Sequence, residues 1–398
     1  MVIAGDIGST RSYLGIYKLP DDNKKNPVLV FPHDEPKQYD SAKYPNFDSM
    51  IEAFLKEAKA NLNETIYAAC FAISGQPENG YIIGLDWKLS QDKLCEFWVE
   101  QSWEKKIGAC DEAAIKKLPI ARFVHNLEGI GFNHLLESVK LVELNEEANP
   151  ANEKNKDKHG LPFKRAIIGV RGGLGESFVY WGNPPGKQFL PERFNISPSE
   201  GGHANLAPSS QEEVELLNYL LKHPEYLDIP ELVTYREVLS ERGMVSMYQF
   251  FKEKMGDDGV AAPVEKLISD KNIKSAAREI IKTALEEKNA LCEQAIDLFF
   301  SIYGAEAGNL ALRYYALGGV YYIHGSITPP YLVDKLIEKI KHGTFMQAFS
   351  RRAKPQLVDL LKSIPVKFVH EPHIRIYGAA RRALRKEALA RVLYNQCK

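Results

Sequence analysis

The 398-residue sequence contains no apolar run close to the roughly 18 residues that a membrane-spanning helix requires. Its five cysteines are scattered and show no Cys-x-x-Cys spacing, so neither a zinc site nor a disulfide framework is indicated. The net charge of -1 gives no reason to expect a nucleic acid or an anionic membrane as partner. The first residues, Met1 to Asp6, show neither a basic leader nor a long apolar core, so we expect no signal peptide and a cytoplasmic location.

Short apolar runs alternate with segments of helical periodicity along the chain, which predicts an α/β fold. The length suits about two domains. A strand is expected at 165–170, and a helix is expected at 48–61 with Asp48 as its N-cap. A longer apolar periodicity predicts one continuous helix over 273–317. Residues 20–46 are rich in proline, asparagine and lysine, so we expect them to be a surface connection.

Two glycine-rich turns follow short apolar strands, one in each half of the chain. A strand, a Gly/Ser/Thr turn and a second strand form a hairpin whose backbone N–H groups can bind phosphate oxygens, although an ordinary hairpin has the same pattern. Asp6 can hold a water of a magnesium ion, since magnesium prefers carboxylate and water oxygens. The first turn region comprises Gly5, Asp6, Ile7, Gly8, Ser9 and Thr10, and the second comprises Arg171, Gly172 and Gly173.

The segment from Glu200 to Pro208 places a carboxylate and an imidazole on either side of two glycines. Glu200 can accept hydrogen bonds from sugar hydroxyls, and His203 can donate or accept them. A polar loop that caps a helix has the same residue types. The segment predicts a small-ligand site because glycine-rich turns precede and follow it along the chain.

His125 and Asn126 follow a short predicted strand at 122–124. Ligands of α/β sheets bind at the carboxyl ends of strands, so these two side chains are candidates for a site. The stretch 145–160 is strongly polar and is expected to be a mobile surface insertion. The basic helix near the C-terminus is most simply a solvated face, which again gives no reason to expect a nucleic-acid partner.

In their order along the chain, these motifs resemble those of the bacterial-type glucokinase family, which has the actin-like sugar-kinase fold. The two glycine-rich turns are similar to the family's phosphate hairpins. The segment from Glu200 to Pro208 is similar to its sugar-binding signature almost letter for letter. Three further stretches fit in the family's order, namely 238–240, 307–312 and an adenosine-side loop at 318–329.

This resemblance implies two actin-like (ribonuclease H-like) α/β domains with a ligand cleft between them. The small domain would comprise 1–124 and a C-terminal helix at 375–398, and the large domain would comprise 125–374. The family reaction transfers the γ-phosphoryl group of ATP, bound with Mg²⁺, to the 6-hydroxyl of glucose or a related sugar, and members are commonly homodimers. The implied sugar-binding residues are His125, Asn126, Glu200, His203 and Glu237. The implied nucleotide-binding residues are those of the two glycine-rich turns with Gly325 and Ser326, and Asp6 is implied at the magnesium ion.

The chain departs from the family pattern at the base that accepts the proton of the sugar hydroxyl. The family has an Asn-Asp pair where this chain has His125-Asn126, and an amide cannot accept that proton at neutral pH. Glu128 lies two residues further on and is the alternative base. The family's further sugar-binding glutamate falls at Arg236, with Glu237 displaced by one position. The remaining departures are Ser9, Arg11, Tyr13, Gly84, Arg171 and Gly172.

Two functions are compatible with this combination of matches and departures. The first is an ATP-dependent hexose kinase in which Glu128 or another base replaces the missing aspartate. The second is a catalytically impaired pseudokinase that binds a sugar or a nucleotide and acts as a regulatory protein.

Arg11 and Arg171 add two guanidinium groups to the phosphate turns, and arginine pairs with phosphate through two parallel hydrogen bonds. We therefore hypothesise that they bind a phosphorylated ligand. Arg11→Ala and Arg171→Ala should each weaken the binding of nucleotide or sugar phosphate, which titration calorimetry measures. Unchanged affinity in both variants would contradict the hypothesis.

Overall fold

The computed structural model of the chain describes residues 1–18, 27–61, 66, 68–76, 81–82, 85–90, 92–94, 121–131, 139–153, 156, 160–170, 172–182, 193–256, 259–323 and 328–384. The chain divides into two compact units. The first comprises Met1–Val139 and Glu371–Lys398, and the second comprises Lys140–His370.

The first unit is built on a six-stranded sheet. Its described elements are β1 (Val2–Ile7), β2 (Arg11–Lys18), β3 (Val28–Phe31), β4 (Lys37–Asp40), α1 (Phe47–Asn61), β5 (Ala68–Ile73), β6 (Gly75–Gln76), β7 (Tyr81–Ile82), β8 (Leu85–Lys88), β9 (Ala121–His125), α2 (Asn126–Gly131) and a C-terminal helix over residues 374–384. Five strands follow the order β3-β2-β1-β5-β9, and β4 also pairs with β2. β6, β7 and β8 form a separate small sheet.

The parallel strands of this unit bring their carboxyl ends to one edge of the sheet. β1 is parallel to β5, and β5 is parallel to β9. The register pairs Ile7 with Ile73 and Ile73 with His125. The Ser74 N–H donates to the Ile7 carbonyl at 3.0 Å, which continues the alignment past the ends of β1 and β5. The residues that follow these strands are therefore neighbours although they are far apart in sequence.

The helix α2 belongs with the first unit because it packs on β5 and β9. At Gly129, an added Cβ would lie 3.1 Å from the Ala72 Cβ, so this helix approaches β5 closely. The division between the units accordingly falls after Val139, later than the expected boundary after residue 124.

The second unit is built on another six-stranded sheet, covered by helices. Its described elements are β10 (Leu141–Glu143), β11 (Arg165–Val170), β12 (Leu174–Gly182), β13 (Arg193–Ser199), α3 (Gln211–Lys222), α4 (Tyr235–Val238), α5 (Glu241–Met255), α6 (Ala262–Ser269), α7 (Ile273–Glu286), α8 (Ala290–Tyr314), β14 (Val320–Ile323), α9 (Val333–His342), α10 (Thr344–Ser350), α11 (Pro355–Lys362) and β15 (Val366–Val369). The strand order is β10-β15-β14-β11-β12-β13. β11, β14 and β15 are parallel, whereas β11, β12 and β13 form an antiparallel meander.

The helix predicted to run over 273–317 is two helices, so this prediction was wrong. The chain reverses at Lys288, which has a φ of 53°, and Asn289 then caps α8 by accepting a hydrogen bond from the Cys292 N–H at 3.1 Å. The apolar periodicity continues across the break because α7 and α8 both bury a face in the same core. No helix in the described residues is long and apolar enough to cross a membrane.

Two further local predictions are corrected by hydrogen bonds. The cap of α1 is Asn46, whose Oδ1 accepts a hydrogen bond from the Ser49 N–H at 2.9 Å, and Asp48 lies inside the helix. The expected surface connection at 20–46 contains β3 and β4, which pair with β2 and extend the sheet.

The polar stretch 145–160, expected to be mobile, is anchored at its first residue. Asn145 is only 5% exposed. Its Nδ2 donates to the carbonyls of Leu361, Lys362 and Ile364 at 3.5, 3.0 and 2.7 Å. The side chain therefore adds hydrogen bonds to backbone acceptors at and just beyond the end of α11 and fixes the start of the stretch.

The contact between α8 and α10 depends on small residues. A Cβ at Gly304 would lie 2.0 Å from the Phe345 carbonyl oxygen, which belongs to the backbone of α10. Alanine favours helices over glycine by about 1 kcal/mol, but here the methyl group would force the two helices apart. We expect Gly304→Ala to lower the free energy of unfolding by about 1–3 kcal/mol, measured by urea denaturation.

The matched control is Gly172→Ala, because a Cβ at Gly172 meets no heavy atom within 4 Å. It should leave the urea midpoint close to that of the parent protein. Equal stabilities of the two variants would mean that the close helix contact contributes nothing.

Candidate functional site

The carboxyl edge of the first sheet carries three polar side chains close together. Asn126 is the first residue of α2, and its Nδ2 donates to the Ser74 Oγ at 3.3 Å. The Leu127 N–H lies 3.4 Å from the His125 Nδ1, so the imidazole caps the start of the same helix. Glu128 lies in the first turn of α2 and is partly exposed. The structure thus brings the predicted residues His125, Asn126 and Glu128 to one strand end.

The first glycine-rich turn is braced from one side. The Ser41 Oγ donates to the Gly8 carbonyl at 2.7 Å, and the Ser41 N–H donates to the Thr10 carbonyl at 3.2 Å. A carbonyl oxygen without a hydrogen bond would repel an anion. The carbonyls of Gly8 and Thr10 both accept a hydrogen bond from Ser41, which reduces this repulsion. Ser9 is partly exposed and Thr10 is exposed, so their hydroxyls are accessible. The turn therefore suits phosphate oxygens, which accept hydrogen bonds from N–H and O–H groups.

Asp6 lies in β1 and is only 5% exposed. In the sheet it stands between Tyr13 of β2 and Ala72 of β5, neither of which is a cation. One carboxylate is compatible with magnesium, which usually keeps several waters and takes its remaining ligands from phosphates. The donor set at Asp6 thus fits the predicted ion, with the nucleotide supplying the other oxygens.

The second glycine-rich turn joins β11 to β12. Gly172 is exposed. A Cβ added to Gly173 would lie 3.0 Å from the Cγ of Arg236. The Arg236 Nε lies 3.3 Å from the Asp228 Oδ2. Arg236 therefore packs along this turn while its charge is paired. Four positions named from the sequence lie outside the described residues, namely Gly84, Arg171, Gly325 and Ser326.

Glu200 and His203 lie side by side at the surface of the second unit. Glu200 precedes a single turn of 3-10 helix over Gly201–His203, and His203 is the last residue of that turn. The His203 Nε2 is 3.8 Å from the Glu200 Oε2. Their side chains are 51% and 52% exposed, respectively, so both polar groups are accessible to a ligand. The pair offers acceptor and donor atoms to one small polyhydroxyl molecule.

The two glycines between these residues are required by close packing. A Cβ at Gly201 would lie 1.9 Å from the Glu176 Oε2, and one at Gly202 would lie 2.1 Å from the Leu174 carbonyl oxygen. Both neighbours belong to β12. The segment therefore rests directly on the strand that leaves the second glycine-rich turn, which fixes where Glu200 and His203 lie within this unit.

Glu237 has a structural role in α4. Its Oε2 accepts hydrogen bonds from the N–H and the Oγ1 of Thr234, and the Thr234 N–H bond is 2.8 Å long. The side chain is 4% exposed. This capping box accounts for the burial of Glu237, and its predicted contact with a sugar stays a prediction.

Sequence reasoning missed a buried polar cluster beneath the segment from Glu200 to Pro208. Glu176 of β12 and Glu306 of α8 are 1% and 0% exposed, respectively. Arg313 donates to the Glu306 Oε1, and the Asn309 Nδ2 donates to the Oε2 at 2.9 Å. Two glutamates 130 positions apart give no local pattern, although Glu306, Asn309 and Arg313 do share the i, i+3 and i+7 spacing of one helix face.

The electrostatics of this cluster favour one proton on Glu176. Burial, and then the repulsion from Glu306, raise the pKa of Glu176 to about 8. Arg313 and a hydrogen bond from Ser199 oppose the rise but do not cancel it. Burial and the neighbouring Glu306 also raise the pKa of the Tyr235 hydroxyl. The cluster thus favours a protonated Glu176 beside Glu306, which accepts a hydrogen bond from Arg313.

Comparisons of the amino-acid sequence with known proteins all indicate the same family. The family described as Glucokinase matches residues 3–99 and 140–386 of the chain. A glucokinase of Synechocystis is 31% identical over 392 residues, which cover 95% of this chain and 96% of that protein. A glucokinase of Trichormus variabilis is 30% identical over 393 residues, which cover 96% and 98%, respectively. The family match leaves out residues 100–139, where His125, Asn126 and Glu128 lie.

Solved structures share the fold at lower identity. A glucokinase from an Antarctic psychrotroph is 19% identical with a TM-score of 0.66, covering 96% of this chain and 98% of that one. A ROK family glucokinase from Streptomyces griseus, solved with glucose and AMPPNP, is 14% identical with a TM-score of 0.54, covering 96% and 99%. The predicted fold of two actin-like α/β domains is confirmed.

The shared proton makes stability depend on pH with a definite sign. Between about pH 4.5 and 8 the folded chain keeps a proton on Glu176 that the unfolded chain has lost, so folding becomes less favourable as pH rises through this window. Glutamine cannot ionise and fits the same space. We expect the unfolding free energy of Glu176→Gln, relative to the parent, to rise between pH 5 and 8 by on the order of 2–4 kcal/mol.

Urea denaturation at a series of pH values measures this difference. The control is Glu52→Gln, an exposed glutamate of α1, for which the difference should stay constant. A constant difference for Glu176→Gln as well would show that Glu176 is ionised in the folded protein at neutral pH.

Proposed function

The chain belongs to the glucokinase family, and we propose that it transfers the γ-phosphoryl group of ATP to the 6-hydroxyl of glucose or a related hexose. The observation that carries the proposal is the exposed pair of Glu200 and His203, held by backbone contact on the strand that leaves a phosphate-type turn. A kinase of this kind needs a sugar site and a phosphate site in fixed relation, because its catalysis is largely positioning.

In this proposal Glu200 and His203 bind the sugar. The Glu200 carboxylate accepts hydrogen bonds from sugar hydroxyls, and the His203 imidazole donates or accepts a further one. Both groups are about half exposed, so a ligand reaches them without any change in the segment. The short Gly201–His203 turn keeps the two side chains on one side of the chain.

We assign the phosphates of ATP to the glycine-rich turns. The turn at Gly8, Ser9 and Thr10 offers hydroxyls and N–H groups, while Ser41 occupies its carbonyls. Gly172 and Gly173 would serve the second turn. Asp6 would hold Mg²⁺ through water, and the ion would neutralise the charge that builds up on the phosphates. The cytoplasmic location and the homodimer that the resemblance implies stay predictions.

The residue at the position of the catalytic base differs from the family pattern. Asn126 stands at the end of β9, where the resemblance places the family's aspartate, and its amide donates to Ser74. An amide does not accept a proton at neutral pH, and the loss of a positioned base typically costs about 10²–10⁴ in rate. We propose that Glu128, in the first turn of the same helix, accepts the proton of the sugar hydroxyl.

The proposal is tested by Mg-ATP-dependent phosphorylation of glucose, measured beside the Asn126→Asp and Glu128→Gln variants. If Glu128 is the base, Glu128→Gln should lower kcat by about 10²-fold or more, with little change in the glucose KM. Asn126→Asp should retain activity or gain it, because it restores a carboxylate at the strand end.

Two exposed positions supply matched controls. Asn218→Asp on α3 and Glu52→Gln on α1 make the same chemical changes away from the candidate residues, and both should behave like the parent. If the parent is inert and only Asn126→Asp is active, the chain is a kinase that has lost its base. If the parent and Asn126→Asp are both inert, the alternative of a regulatory protein that binds sugar or nucleotide replaces the proposal.

A further inference from the structure

The sugar-binding segment proposed above rests on the buried cluster around Glu176 and Glu306. Both carboxyl groups are almost completely buried, and burial, followed by the charge of the nearby Glu306, raises the pKa of Glu176. The Glu176 Oε1 is buried, and no donor among the described residues reaches it. Two charged carboxylates in this interior position would repel one another without hydration, which favours one proton on the pair.

The cations of the cluster are hydrogen-bonded to Glu306 or its partner Asn309, and Arg313 offsets the charge of Glu176 only in part. Arg313, also on α8, donates directly to Glu306. Arg352, which follows α10, reaches the cluster indirectly, since its Nη2 donates to the Asn309 Oδ1 at 3.1 Å and Asn309 in turn donates to Glu306. A second negative charge on Glu176 would therefore have no cation hydrogen-bonded to it.

One connection from the cluster to the segment runs through Ser199. The Gly201 N–H donates to the Ser199 Oγ at 3.0 Å, and Ser199 lies directly opposite Glu176 in the pairing of β12 with β13. Gly201 also lies against the Glu176 Oε2 with no room for a Cβ. Any movement of the Glu176 carboxyl group is therefore transmitted to the backbone between Glu200 and His203.

A second connection runs through Tyr235 of α4. Its N–H donates to the Ala204 carbonyl at 3.0 Å. Burial, and then the charge of the nearby Glu306, raise the pKa of its hydroxyl. The segment is thus attached to the carboxyl pair on both sides of His203, through Ser199 before it and through Tyr235 after it.

We propose that Glu176 and Glu306 are positioning residues for the sugar site, and that the proton they share keeps Glu200 and His203 in the geometry that binds sugar. Neither side chain touches the sugar in this proposal, which rests on the function proposed above. Removal of the shared proton would place two carboxylates in contact in the interior. The repulsion would separate them, and the segment attached to both would move with them.

The test is the dissociation constant of glucose, measured by calorimetry without ATP between pH 6.5 and 9. If only the protonated pair binds sugar, the affinity falls in proportion to the protonated fraction, so the parent should bind about tenfold more weakly at pH 9 than at pH 7. Glu176→Gln keeps the shape of the side chain and offers Glu306 a hydrogen-bond donor without an ionisable proton. Its affinity should match the parent at pH 7 and change by less than about twofold up to pH 9.

Two variants separate this role from a purely structural one. Glu176→Leu fills the space without hydrogen bonds, so it should bind glucose more weakly than the parent at every pH. Glutamine at the same position should restore the affinity. Glu52→Gln should keep the parental pH profile. Since Glu200 and His203 are unchanged in all of these proteins, their own titration is common to every profile and does not affect the comparison.

A parental pH profile in Glu176→Gln would overturn the proposal. If the parent binds no glucose at any pH, the proposed function fails, and hydrogen exchange then decides the positioning role separately. In that case the amides of Gly201 and Ala204 should lose protection above pH 8 in the parent but not in Glu176→Gln. Equal protection in the two proteins would overturn the positioning role as well.

Discussion

Backbone packed against backbone, with no side chain between, is the constraint on which the second unit depends. A Cβ would lie 2.0 Å from a carbonyl oxygen at Gly304, 2.3 Å at Gly308, and 2.1 Å at both Gly202 and Gly243. The first two contacts set α8 against α10, the third sets the segment from Glu200 to Pro208 on β12, and the fourth sets α5 against α4. Since backbones do not adjust as side chains do, these contacts leave few arrangements open to the polar groups mounted on them.

Much of the architecture could be predicted from the sequence because it follows from regular periodicity. The strand at 165–170 has the expected bounds. Glu200 and His203 were predictable because a short motif holds both residues within one turn. Their exposure and their separation of 3.8 Å agree with a role in binding. Where candidate residues are neighbours in sequence, their pattern is enough to name them, and their role in binding stays a proposal.

The features that could not be predicted depend on contacts between distant parts of the chain. The break at Lys288 is hidden because both helices bury the same type of face. From the sequence, Glu237 is a polar side chain that can contact a ligand. In the structure its carboxylate accepts a hydrogen bond from the Thr234 N–H and caps a helix. The pairing of Glu176 with Glu306 depends on how α8 crosses β12, and no spacing within either element indicates it. Tertiary packing decides these cases, and local propensity does not.

The contact between Gly201 and Glu176 has an evolutionary consequence. The oxygen of Glu176 occupies the space in which a side chain at position 201 would begin. A side chain at 201 therefore requires the Glu176 carboxyl group to move away or a shorter residue at 176, whereas a shorter residue at 176 leaves Gly201 unaffected. The two positions are expected to show one-sided epistasis, so that relatives with a side chain at 201 also differ at 176.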